Sequence, residues 1–179
     1  MTMARMNTGD RKHLLCASLM GSCLNIAGYG FTYRTAGNQP YELAMLNWLR
    51  DPGLYPGDPI RQGFARFPTV FWRFLALLPP GLNTELTLFI LFLLTKLLFF
   101  YGLARILFWA SSDWRFTRVA VVLLALSSVL NVRTLIGATF ILDRVETHTP
   151  LAIAFLICAT AWLLEGRWIA PAILTAGVM

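Results

Sequence analysis

The stretch ELTLFILFLLTKLLFFYGLARILFW, residues 85–109, decides the class of fold. It is built almost wholly from Leu, Phe and Ile, and after Glu85 its only charges are Lys96 and Arg105. A bilayer's hydrocarbon core, about 30 Å thick, is crossed by about 20 apolar residues in a helix. This run is long enough to cross, and too long and apolar for an ordinary strand.

The composition of the whole chain points the same way. Of its 179 residues, 57% are apolar and 13% charged, against roughly 25% charged in a typical soluble domain. That balance cannot cover a water-facing surface, which excludes a soluble enzyme and a disordered tail. The expected fold is all-α, a polytopic transmembrane helix bundle forming a single transmembrane domain over 1–179. Outward from 85–109, further spans are predicted near 14–33, 117–137 and 150–164, with an incomplete one at 168–179. The third either continues through Asn131 and Arg133 or breaks there. A cleaved signal ending at Ser22-Cys23 fits the first run less well, because apolar residues continue past Cys23. The last run covers roughly 18 Å of the ~30 Å needed, so the chain reads as the N-terminal part of something longer.

Net charge is +6, from thirteen Arg and two Lys against nine acids. The arginines are dispersed between apolar runs, which favours anionic lipid or a phosphate-bearing lipid as partner and argues against nucleic acid. With the N-terminus inside, inner and outer segments carry equal numbers of counted cations. The outer ones are mostly in one long loop, where they weigh less, so a cytoplasmic N-terminus is expected. Cys16, Cys23 and Cys158 lie in apolar stretches and read as packing residues.

The outer loop, 34–84, contains Pro40, Pro52, Pro56, Pro59, Pro68, Pro79 and Pro80. Residues 41–50 and 69–78 read as short helices lying in the membrane interface. Between them runs Asp51-Pro52-Gly53-Leu54-Tyr55-Pro56-Gly57-Asp58-Pro59. Two readings apply to its carboxylates. A stiff loop can hold Asp51 and Asp58 as general base or metal ligands, or Asp-Pro can simply cap a helix start. If 60–75 were one helix, Gln62, Arg66, Thr69 and Arg73 would form a polar stripe. With Arg50 and Arg61, these arginines could grip a lipid diphosphate or only touch headgroups.

Lys96 lies mid-span, where it either faces a partner in the bundle or snorkels to an interface. Asp143, Arg144, Glu146 and His148 crowd one loop, better read as solvated ion pairing than as a metal site.

The run Gly37-Asn38-Gln39-Pro40, followed by Leu49-Arg50 and the Asp51–Pro59 loop, resembles the first outer loop of bacterial polytopic proteins similar to the GT-C superfamily of membrane glycosyltransferases. Arg144 in Asp-Arg-Val-Glu and the closing Leu-Leu-Glu-Gly-Arg also look like that group. The resemblance implies a many-helix protein of the bacterial inner membrane. It would transfer a sugar from a polyprenyl-phosphate or polyprenyl-diphosphate donor outside the cytoplasm. Asp51 or Asp58 would serve as base or ligand to a divalent metal ion. Asn38, Gln39, Arg50, Arg61, Arg66 and Arg73 would lie near the donor. One departure is plain. Many members carry an acid at the end of the first span, where this chain has Tyr33-Arg34-Thr35. The competing expectation is a non-catalytic membrane subunit or transporter fragment, suggested by Lys96.

Overall fold

A computed structural model describes residues 8–34, 39–66, 70–79, 81–127 and 148–167. The described residues form seven helices and no strand: α1 (Thr8–Tyr29), α2 (Gln39–Arg50), α3 (Ile60–Arg66), α4 (Val70–Ala76), α5 (Thr84–Ser111), α6 (Trp114–Leu126) and α7 (His148–Leu164). The described residues are all-α, as expected from the long apolar runs. By length and composition, α5 alone among the described helices is suited to cross a membrane, and α7 is a shorter apolar helix.

Local chemistry sets most helix ends. Asn83 caps α5 by accepting from the backbone N–H groups of Glu85 and Leu86, and Asp113 caps α6 by accepting from Arg115. Helix α1 stops where Gly30 turns left-handed, φ 70°, with its N–H on the Ile26 carbonyl at 2.8 Å. Helix α7 ends in a Schellman turn. Gly166 (φ 72°) donates to Leu163 and Arg167 donates to Trp162, both at 2.9 Å.

Helix α5 is the axis of the bundle. The rings of Phe31, Phe89 and Phe92 meet where α1 ends and α5 begins. At the far end, Trp114 stacks on Phe108 at 4.0 Å and donates to Asp10 at 2.8 Å. Helices α1 and α5 are therefore antiparallel, and α6 runs alongside α1. On the other side, Cys158 donates to the Leu98 carbonyl, and Arg105 binds Glu165 bidentately, so α7 runs parallel to α5. The core between them holds Leu14, Ala17, Phe99, Phe100, Ala104, Val121, Ala125 and Ala154. Glycines permit the close approaches. A Cβ on Gly102 would fall 2.9 Å from the Cys158 backbone nitrogen, and one on Gly21 would fall 2.7 Å from Phe100 and Val121 side chains.

A second core, of Leu43, Met45, Leu46, Phe64, Trp72, Leu75 and Leu88, packs α2, α3 and α4 over the start of α5. The two short helices expected in the outer loop exist, as α2 and α4. The helix considered over 60–75 is instead two, α3 and α4, with 67–69 outside the described residues. No continuous helix carries the Gln62–Arg73 stripe, and Arg66 and Arg73 are exposed on separate elements.

Only the first part of the predicted 117–137 span is among the described residues. Helix α6 ends at Leu126 and is about 20 Å long, and residues 128–137 lie outside the described residues. Asn25 Nδ2 donates to the Ala125 carbonyl and Tyr29 Oη to the Leu126 carbonyl, each at 3.2 Å. Side chains of α1 thus take the carbonyls that a further turn of helix would have used. Residues 128–147 and 168–179 lie outside the described residues, and with them Arg133, Asp143, Arg144, Glu146 and the incomplete last span. Lys96 is buried, its ammonium 4.8 Å from the centre of the Phe92 ring, so it faces the interior and does not snorkel.

Candidate functional site

At the end of the bundle where α5 begins, an open groove of about 740 Å³ is lined by Tyr33, Arg34, Pro40, Leu43, Ala44, Asn47, Tyr55, Asn83, Thr84 and Glu85. Four segments converge on it: the chain after α1, helix α2, the 51–59 loop and the first turn of α5.

Each wall is held by identifiable bonds. The Arg34 backbone is left-handed at φ 65°, and its N–H is accepted by Gln39 Oε1 at 2.6 Å. Gln39 is fully buried, and its Nε2 has no hydrogen-bond partner among the described residues. The Arg34 guanidinium lies 5.0 Å from the centre of the Tyr33 ring.

The 51–59 loop is two successive tight turns. Leu54 N–H bonds the Asp51 carbonyl at 3.1 Å, and Asp58 N–H bonds the Tyr55 carbonyl at 3.2 Å. Pro56 followed by Gly57 at φ 79° is the pattern a type II turn demands. Tyr55, at φ 58°, sends its ring toward Phe64, 6.2 Å between centroids. Two of the three non-glycine residues with left-handed backbone among those described, Arg34 and Tyr55, line this groove; the third, Ser112, caps α5. Backbone strain of this kind persists where surrounding structure over-determines it, and it concentrates at binding sites.

The sequence-predicted residues separate sharply. Asp51 and Asp58 are exposed. Asp51 Oδ1 accepts from Gly53 N–H at 3.0 Å, and Asp58 Oδ1 accepts from Ile60 N–H at 2.9 Å, at the entry to α3. Both serve local turn and capping chemistry, and neither lines the groove. Arg50 is a clamp. Its Nη1 donates to Thr84 Oγ1 at 3.1 Å and its Nη2 to the Leu75 carbonyl at 3.3 Å, tying α2 to α4 and to the groove wall on α5. Arg61 latches the loop by donating to the Pro52 carbonyl at 3.1 Å. Arg66 and Arg73 are exposed and away from the groove lining. Gln39 lies beneath Arg34, and Asn38 is outside the described residues.

Sequence reasoning missed Tyr33, Arg34, Asn47, Asn83 and Glu85 as groove residues. Asn83 followed by Glu85 is a legible helix-start signal, but nothing local says that this start faces α2. Among the described residues, no group of three or more His, Cys, Asp or Glu is placed to hold a metal ion. Comparison with family profiles, with characterised proteins and with solved structures returns no match.

Proposed function

We propose that the chain belongs to a polytopic membrane glycosyltransferase, similar to the GT-C superfamily, that uses a polyprenyl-phosphate-linked sugar donor. The groove carries this reading. It combines a cation suited to a phosphate oxygen pair, Arg34, with two phenol rings and with amides from Asn47 and Asn83. A concave site with convergent polar groups beside Leu43 and Ala44 suits a small ligand that carries charge.

The outward faces of the bundle support a membrane setting with more than one span. Leu15, Leu19, Ile90, Leu94, Val119, Leu123, Leu156 and Leu163 are all well exposed, on α1, α5, α6 and α7 alike. Exposed large apolar side chains on all four helices suit lipid contact. Arg11, Lys12, Arg115 and Arg167 cluster at the end opposite the groove, which suits that end to the cytoplasmic side of a bacterial inner membrane. The groove then opens on the outer face, where a lipid-linked donor presents its head group.

The test is transfer of radiolabelled sugar from polyprenyl-phosphate and polyprenyl-diphosphate donors by the full-length protein in proteoliposomes. Incorporation into an acceptor fraction supports the reading, and no transfer from any such donor sinks it. The second reading, a transporter fragment or non-catalytic subunit, draws on buried Lys96 and on α6 ending against Asn25. Solute counterflow in the same vesicles, without transfer, would favour it.

A further inference from the structure

Glycosyl transfer to a hydroxyl needs a group that takes the acceptor's proton, and geometry is the first criterion for that group. Of the described carboxylates, Glu85 alone lines the groove. The others are engaged elsewhere. Asp51 and Asp58 each bond their own loop backbone, Asp113 caps α6, Asp10 accepts from Trp114, Glu165 is paired with Arg105, and Glu42 is buried in the α2 core.

The backbone of Glu85 is well fixed. Its backbone N–H is held by Asn83 Oδ1 at 2.9 Å, and the neighbouring Thr84 is held by Arg50 at 3.1 Å. The cap and the clamp fix where the residue leaves the helix, and its exposed side chain is open to a bound acceptor. Its side chain makes no ion pair among the described residues and shares the groove with Arg34.

We propose that Glu85, at the start of α5, is the proton acceptor of the groove, in place of the loop aspartates; this rests on the glycosyl-transfer reading above. In the step, the acceptor hydroxyl oxygen bonds to the sugar's anomeric carbon and its proton passes to the Glu85 carboxylate. The bond from that carbon to the donor's phosphate oxygen breaks, and the electron pair leaves with the polyprenyl phosphate, whose charge Arg34 offsets. The carboxylic acid so formed gives its proton to water when product leaves.

A glutamate in a first helical turn also interacts favourably with the helix dipole, so the test uses readouts that a structural role would not move. In the full-length protein in proteoliposomes, kcat, donor KM and the pH profile are compared for wild type, Glu85→Gln, Glu85→Asp, Asp51→Asn and Asp58→Asn. General-base removal costs about 10²–10⁴ in rate. The expected result is a loss of at least about 100-fold in kcat for Glu85→Gln with donor KM unchanged and the acid limb of the profile gone. Glu85→Asp should recover a tenth or more of the activity, and both loop variants should stay within about threefold of wild type. Retention of wild-type kcat by Glu85→Gln overturns the assignment, as does a comparable loss confined to a loop variant. A wild type inactive on every donor overturns the functional reading and this assignment with it, an outcome distinct from the other two.

Discussion

Gln39 Oε1 accepts the backbone N–H of Arg34 at 2.6 Å, and this bond fixes a left-handed arginine (φ 65°) at the groove. A non-glycine residue there carries strain of about 1–3 kcal/mol. The bond holds the guanidinium beside Tyr33, in the groove lining.

Replacing Arg34 with glycine should separate stability from binding. Glycine adopts φ > 0 freely, so Arg34→Gly is expected to stabilise the fold by about 1 kcal/mol while weakening retention of a short-chain prenyl phosphate at least tenfold. Unfolding by SDS titration in mixed micelles and equilibrium binding report the two effects. A destabilised Arg34→Gly would show that the backbone there is not strained.

Close packing of α5 on α7 depends on Gly102. A Cβ at that position meets the backbone of Ile157 and Cys158 at 3.0 and 2.9 Å, and backbone cannot swing aside. Gly102→Ala should therefore cost about 1–3 kcal/mol. Gly28→Ala is the control. A Cβ there meets nothing within 4 Å, and in the last turn of α1 the change should be neutral or gain up to about 0.5 kcal/mol. Equal responses of the two variants in SDS unfolding would contradict the packing described.

The Arg105–Glu165 pair, with the guanidinium also near the Tyr101 and Trp162 rings, is buried to 5% and 13% exposure. Glu165→Leu alone leaves a buried cation and should destabilise by about 3–5 kcal/mol. Arg105→Met with Glu165→Leu should recover most of that loss, since an apolar pair avoids the desolvation penalty. A double-mutant cycle measures the coupling, and additive losses would mean the pair does not join α5 to α7.

The end of α6 at Leu126 should depend on Asn25. Asn25→Leu frees the Ala125 carbonyl, and removing a hydrogen bond within a helix bundle costs about 0.6 kcal/mol on average and up to about 1.7. Adding Tyr29→Phe should deepen the loss. Hydrogen exchange of the amides near Leu126 should rise in both variants, and unchanged exchange would place the cause of the stop elsewhere.

Which residues could be read in advance follows the range of the forces on them. The bounds of α5 were legible within two residues because the apolar run that makes it is local. The capping reading of Asp58 was open to sequence for the same reason, since its partner Ile60 is two residues away. Arg50 was not legible as a clamp, because Thr84 and Leu75 come to it only when α4 folds back on α2.

The amino-acid sequence by itself determined the helical character of the described residues, the long apolar run of α5, the capping reading of Asp58 and the stiff loop over residues 51–59. These rest on hydrophobic runs and on bonds between residues a few positions apart. Only the tertiary structure decided where α6 stops and that Lys96 turns inward. It alone selected Arg34 and Glu85 for the groove, in place of Asp51, Asp58 and the loop arginines. Those outcomes depend on partners tens of residues distant, Asn25 with Ala125 and Arg50 with Thr84, which meet only through helix packing.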